Sequence, residues 1–354
     1  YLVTFGVLAW VLIPKDDKRP DVATTTHEDT TPVVRPTTGG DGAGGQAGAS
    51  DPLAPGGRLL IVDSRTSETS RNQVSSEAAK AIERGLGWLV SQQAQDGSWA
   101  SGNVGTTALA TLALLGDAHR SSGGKHRDAV TRAQAWLKGR QGANGAFDED
   151  PYTHALATLA AIEDLAFGVA DKADTAEARK VVESAIGFCR TSQLEDGSWG
   201  QLIATAKNVE ALRLAKALGA KKCEIPLERA KAYLQKSRPE GGSAEHAAWL
   251  LALRWAHGDA DAKVVDASTL KLIEQLQAGC ALREGWLATD ALRHFPSDAA
   301  EERRIARETE LVRTQPTDGS WPVVWGTSDP VTPAILVLLS LEAPYRVVRL
   351  PRAK

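Results

Sequence analysis

One short motif recurs along most of this chain and restricts the available folds more than any other feature. Trp88-Leu89-Val90-Ser91-Gln92-Gln93 is followed by Asp96-Gly97-Ser98-Trp99. Phe188, with Gln193, precedes Asp196-Gly197-Ser198-Trp199, and Leu311, with Gln315, precedes Asp318-Gly319-Ser320-Trp321. Weaker copies lie between them. Trp136-Leu137 with Gln141 leads to Asn144-Gly145-Ala146-Phe147, Tyr233-Leu234-Gln235 to Glu240-Gly241-Gly242, and Leu276-Gln277 to Glu284-Gly285-Trp286. The turn glycines stand at 97, 145, 197, 241, 285 and 319, so six units of about 45 residues fill the chain from about residue 77 onward.

Each unit holds two helical stretches of different character. Glu77–Gln93 is amphipathic, with Ala78, Ala81, Ile82, Leu86 and Leu89 near i, i+3, i+4 spacing, whereas Val104–Leu115 is almost entirely apolar or small. The alternation repeats in Ala129–Leu137 and Thr153–Ala166, Glu177–Cys189 and Ala204–Leu218, and Leu227–Leu234 and Glu245–Trp255. It continues in Ala267–Leu276 and Leu287–Phe295, and in Glu301–Val312 and Pro333–Leu341. A helix apolar all round is buried and one with a polar face meets solvent, so the first of each pair is outer and the second inner. An open solenoid ends in polar capping repeats. The last unit instead reads Ile-Leu-Val-Leu-Leu-Ser-Leu over 335–341, which favours a ring closed on its first unit. The Asp-Gly pair suits a tight turn, the Trp returns to pack on the outer helix, and the Gln bonds the turn's backbone. These Trp and Gln residues are read as structural.

The unit Trp-Leu-x3-Gln-x3-Asp-Gly-Ser-Trp resembles the QW repeat of the squalene cyclase and terpene cyclase superfamily. That superfamily shares an (α/α)6 toroid with protein prenyltransferase β subunits and complement-type thioester domains. The resemblance covers about 77–354 and implies an all-α toroid of about twelve helices in inner and outer rings. Thr332-Pro333-Ala334 and Pro344-Tyr345 look like the closing helix and tail of single-domain, membrane-anchored bacterial cyclase-like proteins.

The activities implied by that resemblance were compared with the residues present. A class II cyclase protonates an alkene or epoxide with an acid the family carries as Asp-x-Asp-Asp. The nearest string here, Asp148-Glu149-Asp150-Pro151, lies in a turn before an inner helix, where acidic residues ordinarily cap. Aromatics are 5% of the chain and mostly committed to the turns, few for a cavity that stabilises cations. A prenyltransferase holds zinc with Asp, Cys and His, but Cys189, Cys223 and Cys280 stand apart and no Asp-x-Cys occurs. His246 and His294 lie within reach of a central cavity near Asp290 without a ligand pattern. The thioester string is missing at Gly279-Cys280-Ala281-Leu282. No catalytic residue, cofactor or metal site is assigned. Polar residues on inner helices remain: Tyr152, His154, Glu245, His246 and Asp290 are the candidate lining of a pocket. Glu163-Asp164, at an inner-helix end, is open to the same reading.

The first 75 residues differ in kind. Tyr1–Ile13 is uncharged and apolar apart from Thr4 and Gly6, and Lys15-Asp16-Asp17-Lys18-Arg19 follows closely. It reads as a truncated transmembrane anchor, since thirteen helical residues rise about 20 Å against a hydrocarbon core of about 30 Å. A signal-peptide core is the rival reading, and the side of the membrane is left open. Residues 14–75, rich in Thr, Pro and Gly, are expected to be a disordered linker, with Arg58–Val62 as a short strand or a docked patch. Residues 76–354 form the toroid. A net charge of -3 gives no support for nucleic-acid binding. The function expected is a non-catalytic binding or scaffold protein taking a hydrophobic or isoprenoid ligand or a protein partner. The alternative is an isoprenoid cyclase or related lipid-modifying enzyme with a non-standard acid.

Overall fold

The computed structural model describes residues 60–239, 243–257, 282–294, 298–322 and 329–346. The anchor expected at 1–13 and most of the linker lie outside the described residues, as does the outer helix expected at 267–276. Among the described residues the structure is helical, and the only β pairing is an isolated bridge between Arg120 and Gly123.

Two short helices come first, α1 (Leu60–Thr66) and α2 (Glu68–Arg71). The linker expected to run to residue 75 has therefore given way to docked helix by residue 60, with Ile61 in the core. Outer and inner helices then alternate. α3 (Ser76–Ser91), α5 (Arg127–Arg140), α7 (Ala176–Thr191) and α9 (Glu224–Lys236) bury one face each. α4 (Val104–Gly116), α6 (Pro151–Ala170) and α8 (Leu202–Ala217) are buried on nearly every side. They are followed by α10 (Ser243–His257), α11 (Leu282–Leu292), the outer α12 (Asp298–Arg313), the inner α13 (Val331–Leu341) and a 3-10 turn at Ala343–Arg346.

The ring is closed. Inner helices touch in the order α4, α6, α8, α10, α11, α13, and α13 returns to α4; outside them α12 meets α3. Helix α6 is long and apolar enough to cross a bilayer, but it is an inner wall packed between α4 and α8.

The repeated turn is the fastener. Gln93 Nε2 donates to Gly97 O in its own turn and to Ala129 O on the next outer helix, both at 2.9 Å. Gln141 does the same to Gly145 and Val181, and Gln193 to Gly197 and Pro226. Gln315 Nε2 donates to Gly319 O and, across the closure, to Ala81 O at 2.9 Å. The last unit is thus sewn to the first by the bond that joins neighbours elsewhere. Each turn Trp sends its indole N–H back ten residues, Trp99 to Leu89 O, Trp199 to Cys189 O and Trp321 to Leu311 O. Gly97 has φ +95°, and a Cβ there would run into the carbonyl of Arg132 on the next outer helix. Glycine is required on both counts.

Candidate functional site

Where both helices of a unit and its turn are described, the chain climbs an outer helix, turns, and descends an inner one. The inner helices therefore run parallel and bring their C-terminal carbonyls to one end of the ring, where partial negative charge favours cations. Arginines meet them there. Arg346 Nη1 donates to Leu112 O on α4 at 2.7 Å, and Arg65 Nη1 to Tyr345 O at 3.2 Å. Arg213 donates to Trp255 O at 2.8 Å and Ala256 O at 2.6 Å at the end of α10.

Glu163 stands half a helical rotation from His154 on α6, which turns it to the lumen. Its Oε1 accepts from Arg65 Nη2 at 3.1 Å and from Arg346 Nη2 at 3.0 Å. Burial opposes ionisation, but the Arg346 and Arg65 guanidinium groups prevail and hold the carboxyl below its usual range. Burial brings Arg65 down to about 10, so it stays charged at neutral pH. This triad ties together α1, α6 and the C-terminal turn. Arg71 adds a second clasp, pairing with Asp117 at 2.6 Å and lying over the Tyr345 ring. Glu342 is fully buried against α4, where a Cβ on Gly116 would collide with it. Burial pushes its carboxyl well above the usual range, against the pull of Arg346, whose Nη1 lies 3.5 Å from its Oε2.

A second cluster spans the lumen. Lys207 on α8 donates to Glu210 at 2.8 Å and to Asp290 at 2.8 Å, and its ammonium lies 5.2 Å from the centre of the Trp286 ring. Asp290 and Trp286 belong to α11, which contacts α8's neighbour α10 in the ring order. The Lys207–Asp290 bond therefore crosses the interior. Asp290 also pairs with Arg293. Although burial opposes it, Arg293 and then Lys207 hold Asp290 far below the ordinary carboxylate range. Burial likewise opposes the charge on Lys207, yet Asp290 and Glu210 raise it above the usual lysine value. The clusters are within electrostatic reach, because Arg293 acts on both Arg65 and Glu163.

Of the five candidate lining residues, the structure brings Asp290 alone into these clusters. His154 is fully buried and faces the outer ring. Its Nδ1 accepts from Phe147 N at 3.2 Å, and its Nε2 lies 3.1 Å from Ala185 O and 3.3 Å from Cys189 Sγ. Burial brings its pKa down to about 4. In the first and third units threonines occupy this place: Thr107 Oγ1 accepts from Trp99 N and Thr205 Oγ1 from Trp199 N. His154 is therefore a variant of a repeated structural position. Tyr152 is half-buried at the start of α6 and packs on the core. Glu245 is exposed and His246 half-buried in the first turn of α10, at the opposite end of the ring from the arginine clusters.

Asp150 caps α6, accepting from Thr153 N at 2.9 Å, while Asp148 accepts from Asp150 N at 2.9 Å. Asp164 accepts from Ser121 N and Oγ, a loop anchor. Cys189 and Cys223 are free thiols, and burial pushes Cys189 to about 12. Among the described residues no three His, Cys, Asp or Glu side chains converge as a metal site would require. Sequence reasoning missed Arg65, Lys207, Arg293 and Arg346. Lys207 and Glu210 did leave a signal, being opposite charges three apart in a helix whose place in the repeat is inner.

No protein-family model matches the chain. No curated protein matches it either. Among solved structures the chain is similar to a substituted form of the type II terpene cyclase MstE from Scytonema, determined with its substrate geranylgeranyl dihydroxybenzoate. The identity is 15% and the TM-score 0.49, over 79% of this chain and 99% of the other. The toroid assigned here rests on the helix contacts and turn bonds described above.

Proposed function

We propose that this chain is a binding or scaffold protein built on an α/α toroid. The observation that carries the reading is the state of the carboxylates inside the ring. Cyclisation begun by proton donation needs an acid that keeps its proton beside an apolar chamber. Glu163 and Asp290 are buried, ionised and committed to Arg or Lys. Asp150 is an exposed helix cap. Such a lumen is suited to holding a rigid ring, whose mouth or outer surface takes a hydrophobic ligand or a protein partner. The apolar run at residues 1–13 supports a membrane attachment, tested by carbonate-resistant membrane association that is lost when those residues are deleted.

The test of the main reading offers the full chain squalene or geranylgeranyl diphosphate and analyses the extract by gas chromatography and mass spectrometry. Unchanged substrate is the expected result, and a cyclised product overturns the reading. One observation favours the second reading, an isoprenoid cyclase with a non-standard acid. Glu342 is a fully buried carboxyl that burial pushes well above the usual carboxylate range, and among the described residues its Oε1 has no hydrogen-bond partner. If cyclised product forms, this reading requires Glu342→Gln to abolish it and Asp150→Asn to leave it unchanged.

A further inference from the structure

Three side chains with unspent donors gather where α10 and α11 end. Trp255 is fully buried on α10, and the His294 ring meets it edge-on with centroids 5.7 Å apart. Among the described residues, Trp255 Nε1, Arg293 Nη1 and both ring nitrogens of His294 are buried without a hydrogen-bond partner. The acceptors nearby among the described residues are already engaged. The carbonyls of Trp255 and Ala256 take Arg213. Asp290 takes Lys207 and Arg293, and its carbonyl accepts from Arg293 Nε at 3.2 Å. The charges that act most on His294 are Arg293 and Asp290 from the end of α11, Arg254 from α10 and Lys207 from α8.

Buried donors without acceptors are costly. That cost is relieved by an anion that offers several lone pairs in a small volume. We propose that Trp255, Arg293 and His294 form a binding site for a small carboxylate, whose two oxygens accept from the three side chains. A carboxylate suits the enclosure better than phosphate, because a dianion has more hydration to lose on entry. This inference goes beyond the binding-protein reading and does not depend on it. A bound carboxylate also stabilises the imidazolium form of His294, which burial and Arg293 otherwise disfavour. Binding therefore takes up a proton, more in mildly acid solution than in alkaline.

The experiment titrates the full chain with acetate by calorimetry, in two buffers of different ionisation enthalpy and at fixed chloride. Saturable binding with proton uptake is expected, the uptake being greater at about pH 5.5 than at about pH 8. Arg293→Gln should weaken acetate by about tenfold or more, since a charge-assisted bond is lost. Trp255→Phe keeps one six-membered aromatic ring and removes the pyrrole half with its N–H donor, so in a folded variant it should weaken acetate several-fold. His294→Asn should still bind acetate but without the proton. Absence of saturable binding overturns the assignment, as does a folded Trp255→Phe variant with unchanged affinity, or phosphate binding more tightly than acetate. Any of these leaves the isoprenoid assay, and the reading it tests, untouched.

Discussion

The rim of the ring and its lumen are held by opposite kinds of interaction. At the rim the same few bonds recur: a Gln to its own turn and to the next outer helix, an indole N–H to a carbonyl ten residues back, a left-handed glycine against a neighbouring carbonyl. Each is local in sequence or joins adjacent units. In the lumen nothing recurs. Arg65, Glu163 and Arg346 form one contact from three places in the chain, and Lys207 and Asp290 another. The rim determines that a ring forms and how many units it holds. The lumen determines what the interior contains, and there this ring holds ion pairs.

The sharpest way to break that comparison is to unbalance the lumen. Glu163 pairs with two buried guanidinium groups, so Glu163→Ala leaves Arg65 without its anion and Arg346 with only the Glu342 carboxyl, 3.5 Å away. Removing one partner of a buried pair costs about 3–5 kcal/mol. Urea denaturation followed by circular dichroism should show that loss, accompanied by faster amide exchange in α1, whose Arg65 is held by the same carboxylate. A loss no larger than an exposed ion pair gives, about 0–1 kcal/mol, would mean that the clusters do not organise the interior.

The second largest effect tests His154, a rim position that the sequence offers as candidate pocket lining. Units one and three place Thr107 and Thr205 under the turn, whereas unit two has His154. His154→Thr installs the sibling residue and leaves a smaller side chain in a packed site, costing about 1–3 kcal/mol at neutral pH. The cost should shrink in acid. His154 is held at about 4 in the folded chain against 6.5 for the free group. Between those values the unfolded chain binds a proton that the folded one refuses, so wild-type stability falls as pH drops from about 6.5 to 4, by up to about 3 kcal/mol. The threonine variant has no such loss. Denaturation at several pH values should show the two chains converging, and a gap independent of pH would show that His154 is not held neutral.

That example marks how far the sequence could be read. Helix alternation and closure were legible because each depends on residues repeated every unit, and an apolar last helix has to meet another unit. Among the candidate lining residues Asp290 reached the lumen clusters and His154 did not, because both are polar residues on apolar helices and spacing does not tell which face is inward. Opposition to Glu163 across α6 would have given the direction, had one of the two been fixed by a known partner. Arg65 and Arg346 were invisible for a different reason. They lie outside the repeated helix pairs, and their role arises from the two segments that flank those pairs meeting at one mouth of the ring. The docked α1 was legible in part, since Arg58–Val62 stands out as a short strand or docked patch within the linker, but its helical form and the hold of Glu163 on Arg65 follow only from the closed ring.

The smallest predicted effect sharpens the comparison through additivity. Trp99→Phe, Trp199→Phe and Trp321→Phe each remove one buried indole bond while retaining most of the ring, at about 1 kcal/mol apiece. The three turns share no partner, so the triple variant should lose the sum to within a few tenths of a kcal/mol. In the lumen the same arithmetic should fail, because Arg65 and Arg346 share one oxygen of Glu163. Once Glu163 is replaced by alanine, removing Arg65 relieves a buried charge, so the double variant should be less damaged than the sum of its singles. Additive losses in both places would mean that rim and lumen are built alike. Additivity at the rim with coupling in the lumen would give the two regions separate energetic signatures, measurable with no knowledge of any ligand.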